Sequence, residues 1–409
     1  MLTPTGVSAV CHLLDVGSGL KLFPFDFDPK EKCVKRAGRG HRFYFDLHKT
    51  AIYVMTLFSA VRLIQAMSRD HFPLVLRILN MVWLAAYTLG AICYAQFARK
   101  EGEMIEFVNC LLGYMRRTSI NKNPHNFKSE KSDKNGTSGM SENWPVSTMS
   151  SYTLAESKSQ KYLTYYVYLG LIMLAANPTI HILLVDESPC APHFVSSLFL
   201  PCEGFRDYYI PFLHKIPFMA IEYYLTTVFF FSWSFNWAVI FLGMSWIVAE
   251  LRRMSYNLSQ GLETTVQQYR SIECIAILMN DAFFMYLSTF PNLLFAIVSI
   301  LMFGVIRIWH YDPGSNLMFP LCGIRCAFEA VTPLAVAGDV NDKNKEVVAK
   351  WKLGVVARSA AKKEAIAYQK SFHAVRCTAG SLYTFENSIV LCCLNNCMQL
   401  TLNLFLTFK

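Results

Sequence analysis

The stretch FPLVLRILNMVWLAAYTLGAICYAQF, residues 72–97, carries a single charged residue, Arg77, and is followed at once by Ala98, Arg99 and Lys100. A run of that length exceeds the ~20 apolar residues a helix needs to cross a bilayer. The basic pair gives the crossing a direction, because lysine and arginine are retained on the cytoplasmic side. Ala51–Met67 reads as a span before it, and Tyr162–Val185, Phe218–Val248, Cys274–Ile306, Asn316–Ala337 and Phe385–Phe408 read as spans after it. Positive charge falls in alternate loops: Lys21 to Lys49 before the first span, Arg99 to Lys134 after the second, Arg252 and Arg253 after the fourth, and Lys343 to Arg376 after the sixth. The other loops offer little beyond Arg69, Arg206 and Arg307. The chain therefore reads as an all-α membrane protein with seven transmembrane helices, a cytoplasmic N-terminus and an extracellular C-terminus.

Composition agrees with that reading. At 53% hydrophobic and 16% charged residues, the chain is too apolar for one soluble domain. The net charge of +9 is accounted for by basic inner loops facing an anionic leaflet, so no nucleic-acid partner is expected. Residues 1–50 form a cytoplasmic segment in which Phe43, Tyr44 and Phe45 approach the interface. Met1–Leu20 lacks a charged n-region, so the first span serves as the insertion signal. Residues 51–337 form a six-helix bundle, interrupted by a polar loop at 121–160 that is expected to be disordered. The sequons at Asn135 and Asn257 fall on the inner side and stay unglycosylated. Residues 338–380 contain an amphipathic cytosolic helix, with Val348, Trp351, Val355 and Ile366 spaced among lysines. It either lies on the membrane or packs with the projecting ends of the long fourth and fifth spans into a cytosolic hub, the reading favoured here. Residues 381–409 carry the last span.

The thirteen cysteines include no CxxC pair and no Cys/His spacing for zinc. Cys190 and Cys202 share an outer loop in an oxidising compartment, where they are either bridged or two free thiols. No motif of catalysis or phosphate binding appears, and neither an enzyme activity nor a cofactor or metal is expected.

Two polar constellations lie at membrane depth. In the last span, Cys392, Asn396, Gln399 and Asn403 share one side of a helix. Such a stripe faces either another helix or water, and a water-filled pore requires several copies of the chain. In the outer half of the bundle, Asn177, His181, Glu222, Tyr223 and Asn292 cluster with Trp83, Phe290, Phe295 and Phe319 as a candidate small-molecule pocket. Arg325 and Glu329, at i,i+4, either belong to that pocket or form a structural pair.

The inward N-terminus, seven spans, long fourth and fifth helices and amphipathic segment before the last span together resemble the arthropod gustatory and odorant receptor superfamily. Gustatory receptors carry Thr-Tyr, five apolar residues and Gln-Phe in the last span. Here Cys392-Cys393 and Gln399-Leu400 occupy those places, so only Gln399 is kept and the chain resembles a divergent member. The resemblance implies a plasma-membrane, ligand-gated, weakly selective cation channel, opened by a small-molecule tastant and passing monovalent and divalent cations. It implies a homo- or heterotetramer in which Asn396, Gln399 and Asn403 line the pore and Leu400 narrows it. It also implies that the cytosolic hub anchors the subunits together and that the ligand sits among the second to sixth spans. The alternatives are a G-protein-coupled receptor, which needs the opposite orientation, and a secondary transporter, which favours repeated halves absent from this chain.

Epitope tags within Asn121–Gln160 should bind antibody only in permeabilised cells, while a tag after Lys409 should bind on intact cells. Glycosylation of Asn135 would reverse this topology.

Overall fold

The computed structural model describes residues 4–69, 72–120, 158–202, 210–256, 262–308, 313–351 and 362–408. Of the expected loop at 121–160, residues 121–157, with Asn135, lie outside the described residues, as does the second sequon at Asn257, while residues 158–160 are helical. A bundle of long helices dominates. It comprises α1 (Pro4–Gly19), α2 (Arg39–Met67), α3 (Leu74–Arg99), α4 (Glu101–Ile120), α5 (Lys158–Glu187), α6 (Phe212–Tyr256), α7 (Leu262–Ala282), α8 (Phe284–Ile308), α9 (Pro313–Trp351), α10 (Lys362–Ser371) and α11 (Asn387–Thr407). Two small antiparallel hairpins complete it, β1 (Phe25–Asp28) with β2 (Cys33–Arg36) and β3 (Thr378–Ala379) with β4 (Tyr383–Thr384). Among the described residues, α2, α3, α6, α8, α9 and α11 are each long and apolar enough to cross a membrane. With α5, 30 residues long, they make the seven-helix membrane fold expected from the loops.

The centre of the bundle is α6. Within its apolar stretch, 83% of residues are buried against the other helices, compared with 22% for α2 and 11% for α11. Its 45 residues extend about 68 Å at ~1.5 Å per residue, well beyond a ~30 Å hydrocarbon core. Close approach of α3 depends on Gly90, where a Cβ would fall 2.7 Å from the ring of Phe229.

Three elements differ from the sequence reading. The expected span Cys274–Ile306 is two helices, because α7 ends at Ala282 and α8 begins at Phe284. The expected cytosolic helix from 338 onward is not separate: α9 runs without interruption to Trp351, which is buried at its end, and α10 follows only at Lys362. The N-terminal segment, read only as a stretch ahead of the first span, packs into the bundle. Ala9, Val10, Leu13 and Leu14 of α1 are buried, and Phe23 and Phe25 insert beside Phe235 of α6 at ring distances of 4.3 and 5.8 Å. The alternation FDFD in β1 buries Phe25 and Phe27 on one face, as a half-buried strand should. Phe43 and Tyr44 are exposed, but Phe45 is buried against Tyr94.

The hub expected from the projecting helices is built on aromatic contacts. Phe372 stacks on Tyr269 of α7 at 4.3 Å and meets Trp351 of α9 edge-on at 5.1 Å. The Tyr269 hydroxyl lies 2.9 Å from Asn344 Oδ1 and 2.8 Å from the His373 carbonyl. At the α7–α8 break, the first turn of α8 has backbone N–H groups without intrahelical partners. Gln96 of α3 reaches in: its Oε1 accepts from the Tyr286 N–H at 2.8 Å, and its Nε2 donates to Asn236 Oδ1 of α6 at 2.7 Å. Gln96 and Asn236 are fully buried, so one amide pair ties three helices together.

Replacing Gln96 with leucine leaves the Tyr286 N–H and the Asn236 carbonyl oxygen unpaired, each at a cost of ~1–3 kcal/mol. Thermal unfolding of the purified protein should show a clearly lowered midpoint relative to wild type.

Candidate functional site

After α5, residues 188–202 fold back against α2, α3 and α6. Cys190 and Cys202 are disulfide-bonded, with Cα atoms 5.7 Å apart. Between them a short turn, Val195–Leu198, brings Ala191, His193, Phe194 and Ser196 into buried positions. Beneath this turn, fully buried Glu222 of α6 uses both carboxylate oxygens. Oε1 accepts from the Val195 N–H at 2.8 Å, and Oε2 lies 3.1 Å from Nε2 of buried His181 on α5. Trp83 of α3 completes the floor, its ring 4.5 Å from His181 and 6.4 Å from His193. Arg62 of α2 holds the loop from the side, donating to the Pro192 carbonyl at 3.0 Å and to Ser197 Oγ at 2.9 Å. Lys215 ties α6 to Asp186 at the end of α5 at 3.0 Å.

Several buried polar atoms here have no hydrogen-bond partner among the described residues: both amide atoms of Asn80, Nδ2 of Asn177, and Nδ1 of His181 and of His193. Asn80 stands one helical turn from Trp83 on the same face of α3. Buried polar groups are nearly always paired, so a concentration of unpaired ones beside aromatic rings suits a small molecule with a few hydrogen-bonding groups. Asn80 escaped the sequence reading, although an asparagine at i−3 from a tryptophan inside an apolar span was a usable signal.

The remaining expected pocket residues do not join this cluster. Tyr223 is 43% exposed and points off the bundle. Phe290 stacks on Tyr286 at 4.9 Å, and Phe319 packs over Gly304, where a Cβ would fall 2.7 Å from its ring. Arg325 and Glu329 pair at 3.0 Å on α9, with the guanidinium over the rings of Phe230 and Trp233 at 5.3 and 5.9 Å. A ladder of rings joins the two charge centres: Trp83 to Tyr87 at 5.7 Å, Tyr87 to Phe229 at 5.7 Å, and Phe229 to Trp233 at 5.5 Å. Asn292 and Phe295 line a different cleft, of about 90 Å³, between α8 and α11, with Ser299, Cys397, Asn396 and Leu400.

Helix α11 touches its own chain along one narrow face. Cys397 and Thr401 are buried there, with Ser299 Oγ 3.2 Å from the Cys397 carbonyl. Asn396, Gln399, Leu400 and Asn403 are exposed, with the amide stripe centred roughly a third of a turn around the helix from that face. Among the described residues, no group of acidic, histidine or cysteine side chains is arranged to hold a metal ion.

A seven-helix membrane protein with a capped polar cluster at one end and an uncovered final helix is the class this geometry defines. The chain has the fold of an insect olfactory receptor: it superposes on OR5 from Machilis hrabei, solved in complex with eugenol, with a TM-score of 0.66 over 98% of this chain and 97% of that one, at 11% identity. A second structure of the same receptor gives a TM-score of 0.62 over 97% of each chain at 10% identity. No protein-family profile and no curated protein sequence matches the chain.

Burial holds the His193 imidazole down at about 3, with His181 beside it adding to the effect. The closed loop therefore keeps His193 neutral, whereas an opened loop lets it protonate near its ordinary value of ~6.5. Closure should be at full strength above that value and weaken as the medium is acidified toward 3. Hydrogen exchange in residues 188–202 should rise between about pH 7 and about pH 5. His193→Phe should flatten the dependence, and a flat profile in wild type would remove His193 from control of the loop.

Proposed function

We propose that this chain is a chemosensory receptor that acts as a ligand-gated, weakly selective cation channel, assembled as a tetramer in the plasma membrane. The observation that carries the reading is α11: an apolar helix of membrane length, 11% buried within its own chain, bearing three exposed amides, Asn396 at the edge of the cleft to α8 and Gln399 and Asn403 beyond it, that lipid cannot satisfy. Copies of the chain around an axis give that stripe an aqueous lumen. Neutral amides replace part of an ion's hydration without the field strength to discriminate strongly among cations. Leu400, beside the stripe, supplies an apolar constriction that gates by wetting.

The ligand site in this reading is the capped cluster of Trp83, Asn80, Asn177, His181, Glu222 and His193. It suits a small molecule with an aromatic or apolar body and one or two polar groups, a description that eugenol, bound by the similar olfactory receptor, also meets. In this reading the ligand is a tastant and the chain works as a gustatory receptor, supported by Gln399 at its place in the last span. The basic loops are cytosolic in this reading, and the hub of α7, α9 and α10 anchors the subunits.

Current recording from cells expressing the chain, with eugenol, sugars and bitter compounds applied in turn, tests the proposal. Gln399→Lys places like charges around the axis and should cut cation current by about tenfold or more at matched surface expression. Leu400→Ala should raise basal leak. Unchanged current and leak in both would assign the stripe to helix packing.

A further inference from the structure

Helix α8 contains Pro291, which has no backbone N–H to give to the carbonyl four residues earlier. That carbonyl belongs to Leu287. The hydroxyl of Tyr383 lies 2.9 Å from it, and 3.2 Å from the Ser288 carbonyl. Tyr383 stands in β4, immediately ahead of α11, which starts at Asn387. The turn of the same hairpin seats on the first residue of α8. Gly380 there has φ of +55°, and a Cβ would fall 2.5 Å from the Phe284 ring, so the position requires glycine twice over.

The other side of the hairpin is fixed to α7. The Asn280 side chain donates to the Arg376 carbonyl at 2.8 Å and accepts from the Thr378 N–H at 3.1 Å. The hairpin thus straddles the break at Phe283, held by Asn280 on one side and by Leu287 on the other. Bending at the break changes the spacing of these two anchors, and the hairpin, continuous with α11, has to follow. The same chemistry occurs elsewhere among the described residues: Pro333 removes the donor to the Glu329 carbonyl, and Trp237 Nε1 donates to it at 3.2 Å. That bond ties α6 to α9, however, and does not reach the last helix.

We propose that the Tyr383 hydroxyl, held on the carbonyl that Pro291 leaves without a helical donor, is the joint through which bending between α7 and α8 is passed to the last helix. Tyr383 is a positioning residue, acting through α11 without lining the stripe. The consequence for gating rests on the channel reading above; the mechanical coupling does not.

The test is a double-mutant cycle on the full chain, with Tyr383→Phe, Pro291→Ala and both together. Tyr383→Phe removes only the hydroxyl. Pro291→Ala returns an N–H to α8, so that the Leu287 carbonyl no longer depends on Tyr383. Two readouts are taken: hydrogen exchange of residues 377–392 in purified protein, and basal current at matched surface expression. Tyr383→Phe should speed exchange by about two- to tenfold, the range one neutral hydrogen bond commands. It should change basal current while leaving the reversal potential in place. In the Pro291→Ala background the same change should have little further effect. Additive effects, or exchange in Tyr383→Phe equal to wild type, overturn the joint. Should Tyr383→Phe not fold, Asn280→Ala cuts the hairpin from α7 instead, and unchanged exchange there overturns it equally. A wild-type chain that passes no current removes the channel reading alone, because the exchange cycle still decides the coupling.

Discussion

Inside a bilayer no water is available to satisfy a backbone N–H or C=O, and each one left open costs several kcal/mol. This chain nevertheless breaks the expected span Cys274–Ile306 at Phe283, and it places Pro291 within α8 and Pro333 within α9. Its architecture follows from how those openings are closed. Gln96 takes the Tyr286 N–H, Tyr383 takes the Leu287 carbonyl and Trp237 takes the Glu329 carbonyl. Each repair comes from a different element, so the defects become the places where the bundle is cross-linked. A straight, unbroken set of seven helices would need none of these bonds, and would have no specified point at which to bend.

Loop charges and apolar runs made the spans legible, because both signals are local and additive along the sequence. What they could not register were features that depend on a distant partner. The break at Phe283 follows closely on Asn280 and Asp281, polar residues inside the single expected span, and it is stabilised by Gln96, nearly two hundred positions earlier. The burial of Phe23 and Phe25 is equally remote in cause, since a short segment without span-length hydrophobicity gives no sign that α6 will receive it. The pocket shows the same limit. Polar residues in the outer half of the spans were visible, but helix rotation decides which of them meet. That rotation put His181 and Glu222 together, turned Tyr223 outward and moved Asn292 to the α11 side. The stripe on α11 was readable because it needs only the pitch of one helix.

The Glu222–His181 and Arg325–Glu329 pairs are handled differently. Glu222 and His181 are sealed under the loop, so their mutual contact and the Val195 N–H must offset nearly all of their desolvation. Arg325 is only partly buried and rests on two aromatic faces, which leaves it with electrostatic compensation beyond Glu329. The ring ladder between the centres is close-packed. A change of side-chain position at one end displaces rings that the other end rests on, since interiors of this density do not deform continuously.

The packing of the N-terminal segment has a bearing on how the molecule is made. Residues 4–36 leave the ribosome well before the surface that receives Phe23 and Phe25, which includes Phe235, synthesised about two hundred residues later. Translation proceeds at ~5–20 residues per second, so this apolar segment waits on the order of ten seconds or longer for its partner. During that interval it is exposed beside a half-inserted bundle, in the state most open to aggregation and to capture by quality control. Completion of α6 thus sets the moment at which α1 and the β1–β2 hairpin can mature, and segments two hundred residues apart are committed to a single folding event.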